Sequence, residues 1–232
     1  MLHGMNRPLW DDAPWTPLPR LEGTVRADVA VVGLGGSGLA ALEELAARGV
    51  DAVGLDAGAV GSGAAGRNGG FALAGLAKFH HATVAQLGRP LAAALHRATA
   101  EEIRRQAADL PGVFRLEGSL RLAADAAELE DCRAHLAALR ADGLAAEWYR
   151  GPEGEGVLLP EDGAFQPLTR VRTLAARLRA RGVRLFERSP VRSVDGRRVA
   201  TEAGAVDCDR VVVAVDGRLE ALFPAELAGR VR

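Results

Sequence analysis

Residues 31–38 read Val31-Val32-Gly33-Leu34-Gly35-Gly36-Ser37-Gly38, a G-x-G-x-x-G turn. The chemistry such a turn offers is anion binding by backbone. Gly33 permits a tight exit from a strand, Gly35 lets the main chain approach a pyrophosphate, and Gly38 lets a following helix pack closely on the sheet. The free N–H groups at that helix N-terminus then face the negative charge. Asp56 stands 18 residues after Gly38, at the end of the next apolar run. A carboxylate there can accept the hydroxyl protons of an adenosine ribose, and no arginine follows at once to receive a 2′-phosphate.

A second glycine-rich stretch follows directly. Gly61 to Gly70 reads GSGAAGRNGG. Closely spaced glycines let consecutive N–H groups converge on an anion, and Arg67 adds a cation. A flexible surface loop is the plainer reading of such a stretch taken alone. Two glycine loops bracketing Asp56 point to a bound dinucleotide, and to FAD more than to NAD.

These residues need particular elements to hold them. Asp28–Gly33 (DVAVVG) reads as a buried parallel strand, Ser37–Arg48 as a helix ended by Gly49, and Val50–Leu55 as the next strand. Together they make one βαβ unit. Residues 71–82 show no period. Gln86–Leu110 reads as a helix whose regular part starts near Pro90. Phe114–Leu122 alternates around Gly118-Ser119 and predicts a β-hairpin. Residues 125–142 predict a helix, and Gly151–Gly156 a loop. Thr169–Arg181 predicts an amphipathic helix and Val183–Glu187 a strand. Three short strands, Val191–Val194, Arg198–Glu202 and Ala205–Cys208, predict an antiparallel meander with turns at Asp195-Gly196 and Ala203-Gly204. Arg210–Val215 predicts a second buried strand. Residues 1–24, with Pro8, Pro14, Pro17 and Pro19, predict an irregular arm pinned by Trp10 and Trp15.

Composition narrows the function. The 232 residues are 48% hydrophobic and 25% charged, with a formal net charge of −1. That is an ordinary globular chain with no field to draw in nucleic acid or an anionic membrane. No apolar run is long enough to span a bilayer, and the N-terminus lacks a signal-peptide pattern, so a cytoplasmic protein is expected. Cys132 and Cys208 are the two cysteines, far apart and without metal-ligand spacing, so neither a disulfide framework nor a zinc site is expected. His80-His81 reads as a solvated or ring-lining pair, because adjacent side chains point apart. Trp148-Tyr149 reads as core or edge packing, and Arg177, Arg179, Arg181 and Arg184 as a solvated face. No Ser/His/Asp or Cys/His arrangement stands out, and no metal is expected.

The G-x-G-x-x-G of residues 33–38, the acidic strand end at Asp56 and above all AAGRNGGF at 64–71 resemble the FAD-dependent amine and amino-acid oxidases of the D-amino-acid-oxidase type. The flavour is that of the glycine oxidase, sarcosine oxidase and gamma-glutamylputrescine oxidase branch. Residues 9–33, 158–194 and 208–217 extend the resemblance over most of the chain. It implies an α/β fold: a Rossmann-like FAD-binding domain with a β-meander crossover and an inserted α+β part of a substrate domain. The implied boundaries are 1–24 for the arm, 25–75 and 160–232 for the FAD-binding domain, and 76–159 for a partial substrate or cap domain.

The resemblance also implies site residues. Gly33, Gly35, Ser37 and Gly38 would hold the pyrophosphate, and Asp56 the ribose. Gly66, Arg67, Asn68 and Gly69 would run past the ribityl chain towards the flavin ring. Val191 would meet the adenine through its backbone, and Ala214 would lie beside the pyrophosphate. Gly36, Ala57 and Gly70 complete the set within the same loops. The chain departs from the family at Ala65, commonly Ser, and at Asp56, more often Glu in this branch. Family members also continue past the position of Arg232. The expected activity is oxidation of the C–N bond of a small amine or amino acid, with hydride passing to the flavin, oxygen as acceptor and no protein nucleophile or strong base. The alternative expectation is a truncated, non-catalytic fragment that binds FAD or a nucleotide. An NAD-dependent reductase fits residues 28–56 but neither the second glycine loop nor the meander.

Overall fold

The computed structural model describes residues 10–11 and 15–216. The expectations for Pro8, Asp12, Pro14 and everything from Gly217 onward lie outside these residues. In chain order the first elements are β1 (Gly23–Val32), α1 (Gly36–Ala47), β2 (Ala52–Leu55) and β3 (Phe71–Ala72). Next come α2 (His80–Leu87), α3 (Arg89–Asp109), β4 (Phe114–Arg115), β5 (Ser119–Leu122) and α4 (Ala126–Ala141). Then follow β6 (Glu147–Gly151), β7 (Gly154–Leu159), β8 (Gly163–Phe165) and α5 (Pro167–Ala180). The last are β9 (Arg184–Phe186), β10 (Ser193–Asp195), β11 (Arg198–Ala200) and β12 (Gly204–Val213).

The chain divides into two compact units, residues 1–69 with 167–232, and residues 70–166. These boundaries fall a few residues outside the expected 75/76 and 159/160. The reason is pairing: β3, expected in the first domain, bonds to β8, with Phe71 opposite Ala164.

The first unit is built on a six-stranded sheet in the order β10-β11-β12-β1-β2-β9. β12, β1, β2 and β9 run parallel, and β10 and β11 add an antiparallel meander. β1 starts five residues before the apolar run, because Gly23–Ala27 pair in register with Gly204–Cys208 of β12. The two strands expected at Ala205–Cys208 and Arg210–Val215 are therefore one. The polar Asp209 and Arg210 between them break the apolar pattern without breaking the ladder. The sheet buries Leu21, Ala30, Val32, Val53, Leu55, Val199 and Val206 in one cluster. On the β2 backbone at Gly54, a Cβ would come within 2.6–2.8 Å of Leu34, Leu42 and Leu185, so this glycine is what lets those side chains close over the strand.

The second unit holds two three-stranded sheets, β3-β8-β4 and β5-β7-β6, with α2, α3 and α4. The hairpin expected at residues 114–122 does not form. β4 pairs with β8 and β5 with β7, in different sheets. Gly118 still bends the chain, at φ +84. But its N–H donates to the Asp162 carbonyl, and the Ser119 hydroxyl donates to Asp162 Oδ2 at 2.6 Å. Long-range partners thus outcompete the local turn. The loop expected at Gly151–Gly156 is instead the tight end of the β6–β7 hairpin, where Gly151 pairs with Gly154. The second unit's core is Cys132, Leu136, Leu139, Leu144, Ala146 and Val157, with Trp148 packed against it. No described helix is long and apolar enough to cross a membrane.

Candidate functional site

The parallel strands of the first unit end at one cleft of about 1070 Å³, lined by residues of both glycine loops and of the ends of β1, β2, β9 and β12. That volume lies at the upper end of small-molecule sites. Gly33 leaves β1 at φ +102, a conformation that suits glycine. Its N–H donates to the Leu55 carbonyl at 2.7 Å, and the Ala214 N–H donates to the Val32 carbonyl at 2.7 Å. A Cβ on Gly33 would lie 2.3 Å from the Ala214 oxygen, and one on Gly38 only 1.8 Å from the Gly33 oxygen. Backbone contacts within the protein therefore demand both glycines. Gly35 differs: a Cβ there would meet only Ala65, at 3.6 Å. The protein tolerates that atom, and a ligand lying against the main chain would not.

Gly35 caps α1 without a side-chain hydrogen bond, and the first turn of α1 carries no acidic residue. The amides there point at the cleft wall formed by Gly35, Gly36 and Ser37. Asp56 ties the two loops together. Its Oδ2 accepts from Leu34 N and its Oδ1 from Gly58 N, both at 2.8 Å. A carboxylate accepts about four hydrogen bonds, so capacity for ribose hydroxyls is compatible with this role.

The second glycine loop is stapled from within. Gly61 has φ +80 and leads into a 3₁₀ turn at Ala64–Gly66. Arg67 Nε donates to the Ser62 carbonyl at 2.6 Å, and Asn68 Nδ2 to the carbonyls of Ala64 and Ala65. Trp10 Nε1 donates to the Gly66 carbonyl at 2.8 Å.

Gly33, Gly35, Gly36, Ser37, Asp56, Ala57, Asn68, Val191 and Ala214 of the expected set line the cleft. Gly38, Gly66, Arg67 and Gly69 lie behind its wall. Gly70 belongs to the second unit, where its carbonyl accepts from Phe165 N. Sequence reasoning missed Arg170, Ser189, Pro190 and Asp216, which also line the cleft. Ser189 could have been found beside Glu187, a charged residue inside an apolar strand pattern. Arg170 could have been found as a cation in the first turn of a helix, against the helix dipole.

Of the other constellations, His80 is buried rather than solvated, its Nε2 2.7 Å from Asp142 Oδ2. His81 turns instead towards Asp131. Arg184 is bonded to Asp51 and to the Arg26 carbonyl, whereas Arg177, Arg179 and Arg181 are exposed. Both cysteines are free and buried, and burial pushes both thiols up. No metal-binding cluster occurs among the described residues.

With a glycine cradle, an uncapped helix N-terminus and a large cleft at the strand ends, comparison with known proteins decides the family. The family described as FAD dependent oxidoreductase (DAO) matches residues 28–231. The chain belongs to this family. Among solved structures it is similar to glycine oxidase from Geobacillus kaustophilus, at 25% identity and TM-score 0.67, over 86% of this chain and 58% of that one. L-proline dehydrogenase from P. horikoshii aligns at 18% identity and TM-score 0.71, over 89% of this chain and 56% of that one. L-amino acid deaminase from Proteus myxofaciens, solved with anthranilate, aligns at 20% identity and TM-score 0.68, over 90% and 50%. The last two likenesses are of fold. This FAD-dependent oxidoreductase chain spans between half and three fifths of the length of those structures. No curated protein sequence matches it.

Proposed function

We propose that the first unit binds FAD in the strand-end cleft and serves an oxidoreductase acting on the C–N bond of a small amine or amino acid, with oxygen as acceptor. The observation that carries the reading is the geometry around Gly33, Gly35 and Gly38. Two of these glycines are demanded by backbone contacts at 2.3 and 1.8 Å, and the third leaves the main chain bare towards the cleft. In this reading Gly35, Gly36 and Ser37 hold the pyrophosphate through backbone amides, and Asp56 orients the adenosine ribose. Pro190 and Val191 supply an apolar edge for the adenine. Gly66, Arg67, Asn68 and Gly69 keep the second loop in shape beside the ribityl chain. When bound, FAD supplies the hydride acceptor, and the protein supplies binding, orientation and shelter from water. The second unit is then part of a substrate domain.

The fit of the residues to FAD stands on the donor set: neutral backbone amides at a helix N-terminus suit a diphosphate. The first experiment is a visible spectrum of the purified protein before and after incubation with FAD and gel filtration. A yellow protein retaining FAD is expected. A colourless protein that takes up no FAD overturns the cofactor reading. Peroxide production with a panel of amines and amino acids then tests the substrate class, and its absence with flavin bound overturns the oxygen-dependent activity alone.

A further inference from the structure

The G-x-G-x-x-G pattern asks for glycine at 33, 35 and 38 and leaves position 36 open, yet this chain has glycine there too. The structure supplies the reason. A Cβ on Gly36 would approach Arg170 Nη1 to 3.3 Å, tighter than ordinary van der Waals contact. The absent side chain makes room for a guanidinium alongside the first residue of α1. Arg170 and Gly36 both line the cleft.

That arrangement runs against simple electrostatics. Arg170 is the fourth residue of α5, near the positive end of that helix dipole. Its guanidinium also lies beside the N-terminus of α1, a second positive end. Neither helix has an acidic residue in its first turn. The carboxylates on the cleft wall are Asp56 and Asp216. Asp56 already accepts from two backbone amides, Leu34 N and Gly58 N. A cation held between two helix N-termini is stabilised most by an anion that touches all three at once.

We propose that Arg170 binds the diphosphate of the dinucleotide, so that this cradle holds its ligand by charge as well as by backbone amides. The inference rests on the reading of the cleft as a dinucleotide site and adds a residue that the glycine fingerprint does not contain. The guanidinium is a planar fork of donors suited to two phosphate oxygens. It gives the cleft a preference for diphosphates over the corresponding nucleoside. It also gives binding a salt dependence that an amide-only cradle lacks.

The test uses the whole chain and three probes: FAD, ADP and adenosine. Dissociation constants come from flavin fluorescence for FAD and from calorimetry for the other two. They are measured for the natural protein and for Arg170→Gln, which keeps most of the side-chain stem, and Arg170→Lys, which keeps the charge. Loss of one charge-assisted pair should weaken FAD by about 10- to 100-fold in Arg170→Gln. ADP should weaken by a similar factor and adenosine by less than about twofold, with Arg170→Lys intermediate. Affinity of the natural protein for ADP should fall as salt rises, and that slope should flatten in Arg170→Gln.

Equal losses for ADP and adenosine would mean that the substitution had reshaped the cleft, and would overturn the proposal. Unchanged affinity for FAD and ADP in Arg170→Gln would overturn it too, while leaving the cofactor reading intact. If the natural protein binds ADP but not FAD, the cofactor reading fails and the ADP–adenosine comparison still decides the role of Arg170. Binding of none of the three overturns both.

Discussion

Each unit buries carboxylates, and the two satisfy them by different means. In the first unit Glu187 is fully buried at the end of β9. Its Oε1 accepts from Trp15 Nε1 at 2.9 Å and from Val60 N at 2.5 Å, and its Oε2 accepts from Leu18 N at 2.9 Å. All three donors are neutral. In the second unit Asp142, its side chain 3% exposed, meets His80 Nε2 at 2.7 Å and accepts from Arg89 Nη1 at 2.6 Å. The His80 N–H donates to His135 Nδ1 at 2.8 Å. One unit is stitched by backbone donors, the other by side chains that titrate. The first arrangement ties the arm, the second glycine loop and β9 together beside the cleft. The second locks α2 against α4 in a way that depends on protons.

Removing Glu187 is the strongest way to break this comparison. Glu187→Ala leaves Leu18 N, Val60 N and Trp15 Nε1 buried without their acceptor. At about 1–3 kcal/mol for each orphaned donor, with partial relaxation, the expected loss is roughly 3–6 kcal/mol. Urea denaturation followed by circular dichroism should show it as a lower midpoint. A loss below about 1 kcal/mol would show that water or a shifted chain replaces the carboxylate, and that the stitching is not what holds the arm.

Glu187 also shows where the sequence stops being informative. The βαβ unit, the meander and both glycine loops were legible because each leaves a local mark: valine runs, helical spacing, or glycine where a side chain would clash. The cradle at Gly33–Gly38 and its partner Asp56 follow from that same short-range logic. Glu187 carries no such mark, since its donors stand 127 to 172 residues away. Arg170 was hidden because it sits inside a helix pattern that any arginine satisfies. The hairpin expected at Phe114–Leu122 went wrong for a related reason. Alternation states that a segment is a strand but not which strand it pairs with, and Asp162 reorganised that choice. The single ten-residue β12 was read as two strands because register with β1, not hydrophobicity, carries it past Asp209.

A middle-sized effect is expected at Asp142. Burial works against its charge, but hydrogen bonds from His80 and Arg89 outweigh this and hold its carboxyl below the ordinary range. Asp142→Ala strands the buried His80, whereas the half-exposed Arg89 can return to water. The expected loss is about 1–3 kcal/mol, smaller than at Glu187 because one partner is rescued by solvent. Hydrogen exchange should show it as faster opening of α2 and α4 amides while those of β1 and β2 keep their protection. Equal acceleration in β1 and β2 would mean that the two units unfold as one, and the contrast between them would lose its energetic meaning.

The smallest effect separates the units by pH alone. Burial, then the positive field of Arg121, then His80, His81 and His96, pushes the His135 imidazole down from 6.5 to about 4. His96 is lowered as well, first by burial and then by His80, with Asp162 and Glu161 opposing. Between pH 6.5 and about 4 the unfolded chain takes up a proton at position 135 that the folded unit refuses. Stability therefore falls as pH falls through that window and is flat above it. For one proton the limiting slope is about 1.4 kcal/mol per pH unit, and relaxation around the site should bring the whole change to about 1–2 kcal/mol. Asp142, whose pKa is lowered rather than raised, adds its own loss only below the ordinary carboxylate value of 3.8. His135→Asn keeps an acceptor close to the position of Nδ1 for the His80 N–H and removes the titration. Urea melts at pH 7, 6 and 5 should show a shallower decline in the variant than in the natural protein. The same decline in both would place the pH sensitivity elsewhere. If α2 and α4 lose protection in the natural protein at pH 5 while β1 and β2 do not, protons are being taken up where side chains satisfy one another, and not where the backbone does.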